Sequence, residues 1–302
     1  MTVKATIGGW GNYPKQEVKL LKPSSCASLR ADLKQEKCLI ARGMGRSYGD
    51  SANASLVLQT TYCDHFLEFD AKKGQLTAEA GITLREILKV IVPRGWFLPV
   101  TPGTSYVTLG GAIASDVHGK NHHIAGTFGQ HVKSMNVVLG TGEVVTASLA
   151  ENVDLFCATC GGMGLTGVII SATIQLTPIQ SSLINQKTLK ADCIESACEA
   201  FEINSNATYS VAWIDCLATG RDLGRSVLML GEHAESGGLE LVTKDPISVP
   251  FYTSSVLLNR MTMKTFNGAY WHKAKHDQTQ TVPLMSYFYP LDAIGSWNKL
   301  YG

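Results

Sequence analysis

Glycine places the strongest constraint on this chain: 12 of its 29 glycines fall between Gly103 and Gly167, two fifths of the glycine in about a fifth of the length. Backbone of that kind must turn tightly or run close against something, because glycine alone takes left-handed φ values without steric cost. Past Pro178 glycine thins out and the sequence becomes ordinary mixed strands and helices. A domain boundary is therefore expected near residues 177–182, giving domains of residues 1–179 and 180–302.

At 302 residues and 45% hydrophobic, the chain can bury one large core or two. Lys+Arg number 26 against 25 Asp+Glu, so overall charge offers no reason to expect nucleic acid or anionic lipid as the main partner. The N-terminus lacks the basic start and apolar run of a secretory signal. Residues 155–186 carry no charge, yet Gly, Thr, Gln, Ser and Pro interrupt them throughout, which reads as soluble core rather than a membrane span. Eight cysteines are too few for a disulfide scaffold. Free, buried thiols in a reducing, cytoplasmic compartment are expected.

Residues 38–41 read as a short strand entering a glycine turn. Residues 83–91 read as a helix: Thr83 and Glu86 have capping-box spacing, Leu84, Ile87, Leu88 and Ile91 share one face, and Pro93 and Gly95 stop it. Residues 132–139 and 143–147 read as a hairpin turning at Gly140 and Gly142, and residues 168–176 as a further strand. Short strands and hairpins with few helices favour an α+β domain over a doubly wound parallel sheet.

Three stretches could carry chemistry. The first is Ala41, Arg42, Gly43, Met44, Gly45, Arg46, Ser47, Tyr48, Gly49 and Asp50, a glycine-rich loop after a strand. Its amides could converge on an anion such as a pyrophosphate, and a plain glycine turn stands as the alternative. The glycine spacing is not that of the dinucleotide-binding βαβ fingerprint, and no apolar-periodic helix follows. The second stretch, residues 102–123, offers two glycine turns and small residues at Ala112, Ala114 and Ser115, against which a flat, extended cofactor could lie. His118, His122, His123 and His131 cluster there. A metal is disfavoured because Gly119 and Gly126 argue against a helix that would align His118 with His122, and no carboxylate or Cys completes a ligand set. Histidine donating to a cofactor or substrate oxygen is the better reading of His118, and exposed loop histidines remain the alternative for the other three. The third, Cys157-x-x-Cys160 before Gly161 and Gly162, has redox-motif spacing, but it falls late in a short helix, where a thiol pKa is not lowered. Two buried structural cysteines are expected.

Order and content together are more specific. The loop at 41–50, the stretch Pro102-Gly103-Thr104 with Thr108-Leu109-Gly110-Gly111-Ala112, and Gly161-Gly162-Met163-Gly164-Leu165-Thr166-Gly167 resemble the flavoprotein superfamily of vanillyl-alcohol oxidase and para-cresol methylhydroxylase. Residues 209–215, 223–226, 288–292 and 297–302 resemble pieces of a substrate domain in members acting on lipid-linked sugars. The resemblance implies a two-domain flavoprotein. FAD would be held by residues 41 through Ser51, by Gly103, Thr108, Leu109, Gly110, Gly111, Ser115, Asp116, Val117 and His118, and by Ile169. His118 and Lys120 would stand where flavin meets substrate as the catalytic candidates, and Trp213 would line the sugar site. Many relatives attach FAD through a histidine in the first glycine loop; residues 45–49 contain none, so non-covalent FAD is implied.

The implied reaction is oxidation of a secondary alcohol on a lipid-linked sugar, with a role in cell wall biosynthesis. An NAD-dependent reductase partner and at most peripheral membrane contact are implied with it. A soluble alditol or aldonolactone oxidase is the alternative, and an inactive flavin-binding fragment another. The family continues beyond the point matching Gly302, with substrate-site residues in that part. A chain incomplete at its C-terminus, inactive alone, is therefore an expectation too.

Overall fold

The computed structural model describes residues 2–35, 38–243, 246–253, 258–296 and 299. The string at 297–302 that resembles a substrate domain lies, apart from Lys299, outside the described residues. Helices and strands mix throughout, giving an α+β chain. Two compact units emerge: residues 1–119 with 126–178, and residues 120–125 with 179–302.

The first unit opens with β1 (Thr2–Ile7), β2 (Gln16–Leu21), α1 (Cys26–Gln35), β3 (Ile40–Arg42) and β4 (Leu56–Gln59). These strands form a sheet ordered β1-β2-β4-β3, with β4 parallel to both neighbours. β5 (Phe66–Asp70) and β6 (Gln75–Glu79) begin a second sheet, followed by α2 (Leu84–Ile91), β7 (Trp96–Phe97) and α3 (Leu109–Ala114). A one-turn helix, α4 (His122–Ala125), belongs to the second unit. β8 (Val132–Val138), β9 (Val144–Ala147), α5 (Val153–Thr159), β10 (Val168–Gln175) and β11 (Thr177–Pro178) complete the first unit. The second sheet is antiparallel and ordered β5-β6-β10-β8-β9.

Helix α1 explains how the two sheets share a core. Its Leu29 and Leu33 pack with Leu21 and Leu58 of the first sheet and with Val138 and Val168 around the second. Each such fully buried aliphatic side chain stabilises by about 1.5–3 kcal/mol. The expected helix at 83–91 forms: Thr83 accepts a hydrogen bond from the Glu86 amide, and Leu84, Ile87, Leu88 and Ile91 are buried. The expected hairpin is β8 and β9, closed where the Gly142 amide donates to Leu139 O and Gly142 takes φ +81°.

In the second unit β12 (Leu183–Ala191), α6 (Ile194–Ile203), β13 (Tyr209–Ile214) and β14 (Ser226–His233) are followed by β15 (Ile247–Ser248), α7 (Arg260–Lys273), β16 (Gln278–Pro283), α8 (Leu284–Phe288) and β17 (Ile294–Gly295). The main sheet is antiparallel, ordered β13-β14-β12-β16. Ala197, Ala200 and Phe201 of α6 pack on Leu189, Ala191, Ala212 and Leu228 on one face. Alternation along β13 turns Tyr209, Val211 and Trp213 to the other face.

The thiols are free, but the expectation that they are buried fails for most of them. Only Cys63 is fully buried, while Cys38, Cys157, Cys198 and Cys216 are exposed. Cys157 lies in α5 and Cys160 caps its C-terminus, half-buried, with its thiol pushed up to about 11 by burial and the nearby Asp116 and Cys157. Cys157 faces solvent from α5, while Cys160 has left the helix in extended backbone, so the pair is not a buried structural one. No described helix is long and apolar enough to cross a membrane.

Candidate cofactor site and reactive side chains

The loop after β3 is held open from below by Arg42. Its guanidinium donates to Gly8 O at 2.6 Å, Asn53 Oδ1 at 3.0 Å and Ala52 O at 3.3 Å, tying both ends of the loop to the turn after β1. Burial and the neighbouring Arg46 pull its pKa below the usual arginine value. Arg42, expected as a cofactor contact, thus directs three of its donors to protein oxygens. Gly45 turns over that guanidinium at φ +63°, where a Cβ would sit 2.1 Å from Nη2. The carbonyl of Ser47 accepts from the Trp10 amide at 2.9 Å.

The amides are left over. Among the described residues, those of Gly43, Met44, Gly45, Ser47, Tyr48 and Gly49 donate to no protein acceptor. The Ser47 hydroxyl and the Asn53 side-chain amide nitrogen are buried without a partner, and a Cβ on Gly49 would meet nothing within 4 Å. Buried or crowded donors without acceptors are costly, and a diphosphate is the acceptor that a glycine-rich nest of amides suits. The loop therefore fits the anionic centre of a dinucleotide cofactor.

The second stretch is adjacent. A Cβ on Gly43 would lie 2.2 Å from Thr108 Oγ1, so Gly43 permits the two stretches to touch. Thr108 caps α3 by accepting from Gly111 N at 3.1 Å. The Leu109 and Gly110 amides are taken by the carbonyls of Ile82 and Ala80. The Ser115, Asp116 and Val117 amides close back onto α3. This stretch accordingly offers a packed wall rather than free donors. Asp116 sits at φ +39° and its carboxylate accepts from Gly129 N at 2.8 Å. Gly103 is exposed, and its amide donates to no described acceptor.

Ile169, on β10, is buried opposite Val137, beside a bulge before Ser171. Ile170 O accepts from Ala80 N, and Ala80 O from Gly110 N, so the bulge, the 80–82 segment and α3 form one hydrogen-bonded ladder. Bulges of this kind re-aim side chains beside functional sites. His118 is exposed and bridges to Thr127.

Lys120 belongs to the second unit, where its backbone carbonyl accepts from Ser210 N of β13. Its ammonium donates to the Tyr287 carbonyl and lies 4.2 Å from the centroid of the Tyr287 ring. Burial lowers its pKa to about 8. Tyr287, Tyr209 and Phe288 pack edge-to-face at 4.7–6.4 Å between centroids. Trp213, half-buried on the same face of β13, packs on Tyr270 of α7 at 4.6 Å. The sequence reading missed Tyr287; the aromatic run 287–289 after a Thr- and Gln-rich strand was its one available signal. Among the described residues, no three His, Cys, Asp or Glu side chains are grouped to hold a metal ion.

A family model described as an FAD binding domain matches residues 25–148, the span containing the amide-rich loop and α3. The chain belongs to the FAD-linked oxidoreductases of the vanillyl-alcohol oxidase and para-cresol methylhydroxylase superfamily, and FAD is the cofactor of that family. It is 34% identical to decaprenylphosphoryl-beta-D-ribose oxidase of Mycolicibacterium smegmatis, over 100% of this chain and 70% of that protein. It is also 30% identical to L-gulonolactone oxidase of Mus musculus, over 52% of this chain and 37% of that protein. Similarity to the Delta(24)-sterol reductase of Homo sapiens, at 31%, covers 37% of this chain and 22% of the relative.

Proposed function

We propose that this protein oxidises a secondary alcohol on a lipid-linked sugar, passing the hydride to non-covalently held FAD. The observation that carries the reading is the set of unspent amides of Gly43, Met44, Gly45, Ser47, Tyr48 and Gly49, in a chain similar over its whole length to decaprenylphosphoryl-beta-D-ribose oxidase. When bound, FAD supplies the hydride acceptor.

This chain's own residues supply the rest. The amides of Gly43, Met44, Gly45, Ser47, Tyr48 and Gly49 and the Ser47 hydroxyl would take the diphosphate oxygens, and Gly103, Thr108 and Ile169 would shape the wall along the cofactor. The absence of histidine from residues 41–51 supports attachment by hydrogen bonds and burial alone. Lys120, with a pKa near 8, is matched to taking the hydroxyl proton as the C–H bond breaks, since a general base works best with a pKa near the operating pH. His118 is the second candidate, as a hydrogen-bond donor to a substrate oxygen. Trp213 offers an aromatic face to the sugar. The product is a ketone, which a separate NAD-dependent reductase would consume.

The similarity to L-gulonolactone oxidase supports a second reading, a soluble sugar or lactone substrate. Anaerobic mixing of the FAD-loaded protein with a polyprenyl-phosphoryl pentose, with free alditols and with aldonolactones separates the two. Bleaching by the lipid-linked sugar alone is expected; bleaching by the free compounds alone overturns the first reading, and bleaching by none overturns both.

A further inference from the structure

Near-neutral overall charge conceals a segregated segment. Residues 246–276 hold four Lys or Arg (Arg260, Lys264, Lys273 and Lys275), two His and no Asp or Glu. All four cations are exposed. Among the described residues none of them has a carboxylate within ion-pair distance.

The same segment is where large apolar side chains stand in solvent. Ile247 is 77% exposed, Phe251 65%, Met261 76% and Phe266 58%, with Tyr252 and Leu258 exposed as well. Exposed apolar groups that lie together, as Phe266 and Tyr270 do stacked at 6.4 Å on α7, mark an interaction surface. Within α7 the inward positions are taken by Asn267 and Trp271, which are buried, while Met261, Lys264 and Lys273 stay outside. Exposed aromatic and aliphatic groups interleaved with uncompensated cations are what an anionic bilayer surface recognises: apolar groups enter the acyl boundary while Lys and Arg meet lipid phosphates. A protein partner would need no such one-signed charge, and nucleic acid would not reward the aliphatic groups.

We propose that the exposed side chains of residues 246–253 and 258–276, α7 above all, form a docking surface for an anionic lipid bilayer. The proposal deepens the lipid-linked substrate reading, because Tyr270 of α7 packs on Trp213 and thereby joins the docking helix to the strand offering the sugar contact. Its test uses no substrate, so the two readings fail independently.

The FAD-loaded protein is sedimented with vesicles of equal parts phosphatidylcholine and phosphatidylglycerol, and with pure phosphatidylcholine vesicles. Binding to the anionic vesicles that weakens as salt rises is expected, with little binding to the neutral ones. Met261→Ser with Phe251→Ser should weaken partitioning about tenfold or more. Arg260→Glu with Lys264→Glu should do the same on anionic vesicles only, at about 1 kcal/mol per basic residue or fivefold each. Thermal midpoints and flavin spectra of both variants are compared with the parent to show that they fold. No vesicle binding, binding indifferent to lipid charge, or folded variants that partition like the parent would each overturn the proposal, as would a dimer that the Ser variants dissociate while vesicles go unbound.

Discussion

Substituting Gly43 by Ala probes the join between the two halves of the cofactor site. The new Cβ would fall 2.2 Å from Thr108 Oγ1 and 2.9 Å from its Cγ2, against an ordinary contact of at least 3.4 Å. Some 1.2 Å of movement is therefore needed. Thr108 is 2% exposed and cannot swing into solvent. One route of relief turns its hydroxyl off the Gly111 amide, losing a helix cap of about 1 kcal/mol. The other pushes the 43–49 loop away and adds overpacking strain of about 1–3 kcal/mol. Whichever route is taken, the destabilisation is about 1–3 kcal/mol, with weakened FAD binding where the loop amides move. Thr108→Ala alone should cost only the cap, about 1 kcal/mol. In the double variant the clashing atoms are gone, leaving only the Thr108 Cβ at 3.1 Å, so the combined cost should fall about 1–2 kcal/mol below the sum of the singles. Urea denaturation of the four proteins and fluorescence titration with FAD measure both effects. Strict additivity, or an unchanged Gly43→Ala protein, would refute the proposed contact.

Arg42→Met should free the loop from Gly8, Ala52 and Asn53, costing about 1.5–3 kcal/mol and raising the FAD dissociation constant, read by the same titration. The flavin reduction rate should climb with pH and level off above about 8 as Lys120 loses its proton; Lys120→Met should lower it about 10²–10⁴-fold and remove that inflection. The lowered Lys120 pKa also means that this group adds stability as pH rises from about 8 toward 10.5, since the unfolded chain binds the extra proton there. In the second unit Asp215 is buried and receives two hydrogen bonds from Arg225 and one from Asn267 at 2.6 Å, which outweigh burial and hold its carboxyl low. Asp215→Ala should cost about 3–5 kcal/mol by stranding Arg225, with Asp215→Asn milder, measured by urea denaturation.

Local signals were legible wherever short-range chemistry decides structure. Thr83 and the apolar spacing behind it define α2, and Gly142 defines the turn between β8 and β9. The glycines at 43, 45 and 49 announce a loop with unusual backbone. Spacing alone could not show which amides remain unspent. Leu109 and Gly110 look as available as Gly45 in the sequence, yet Ala80 and Ile82 claim them through a contact some thirty residues away in the chain. Arg42 looks like a phosphate ligand for the same reason, and the Gly8 carbonyl that occupies it lies 34 residues upstream. The placement of residues 120–125 with the second unit depends on Lys120 O meeting Ser210 N. The thiols were misread because burial depends on which helix face packs, and C-x-x-C spacing does not reveal that.

The central claim is that the 43–49 loop grips the diphosphate of FAD, and calorimetric titration of the flavin-free protein with FAD and with riboflavin, which lacks the diphosphate, tests it most directly. FAD should bind at least about a hundredfold tighter, as two charge-assisted hydrogen bonds of about 1.5 kcal/mol each would require. Equal affinity for the two, or no binding of FAD by folded protein, would contradict the account.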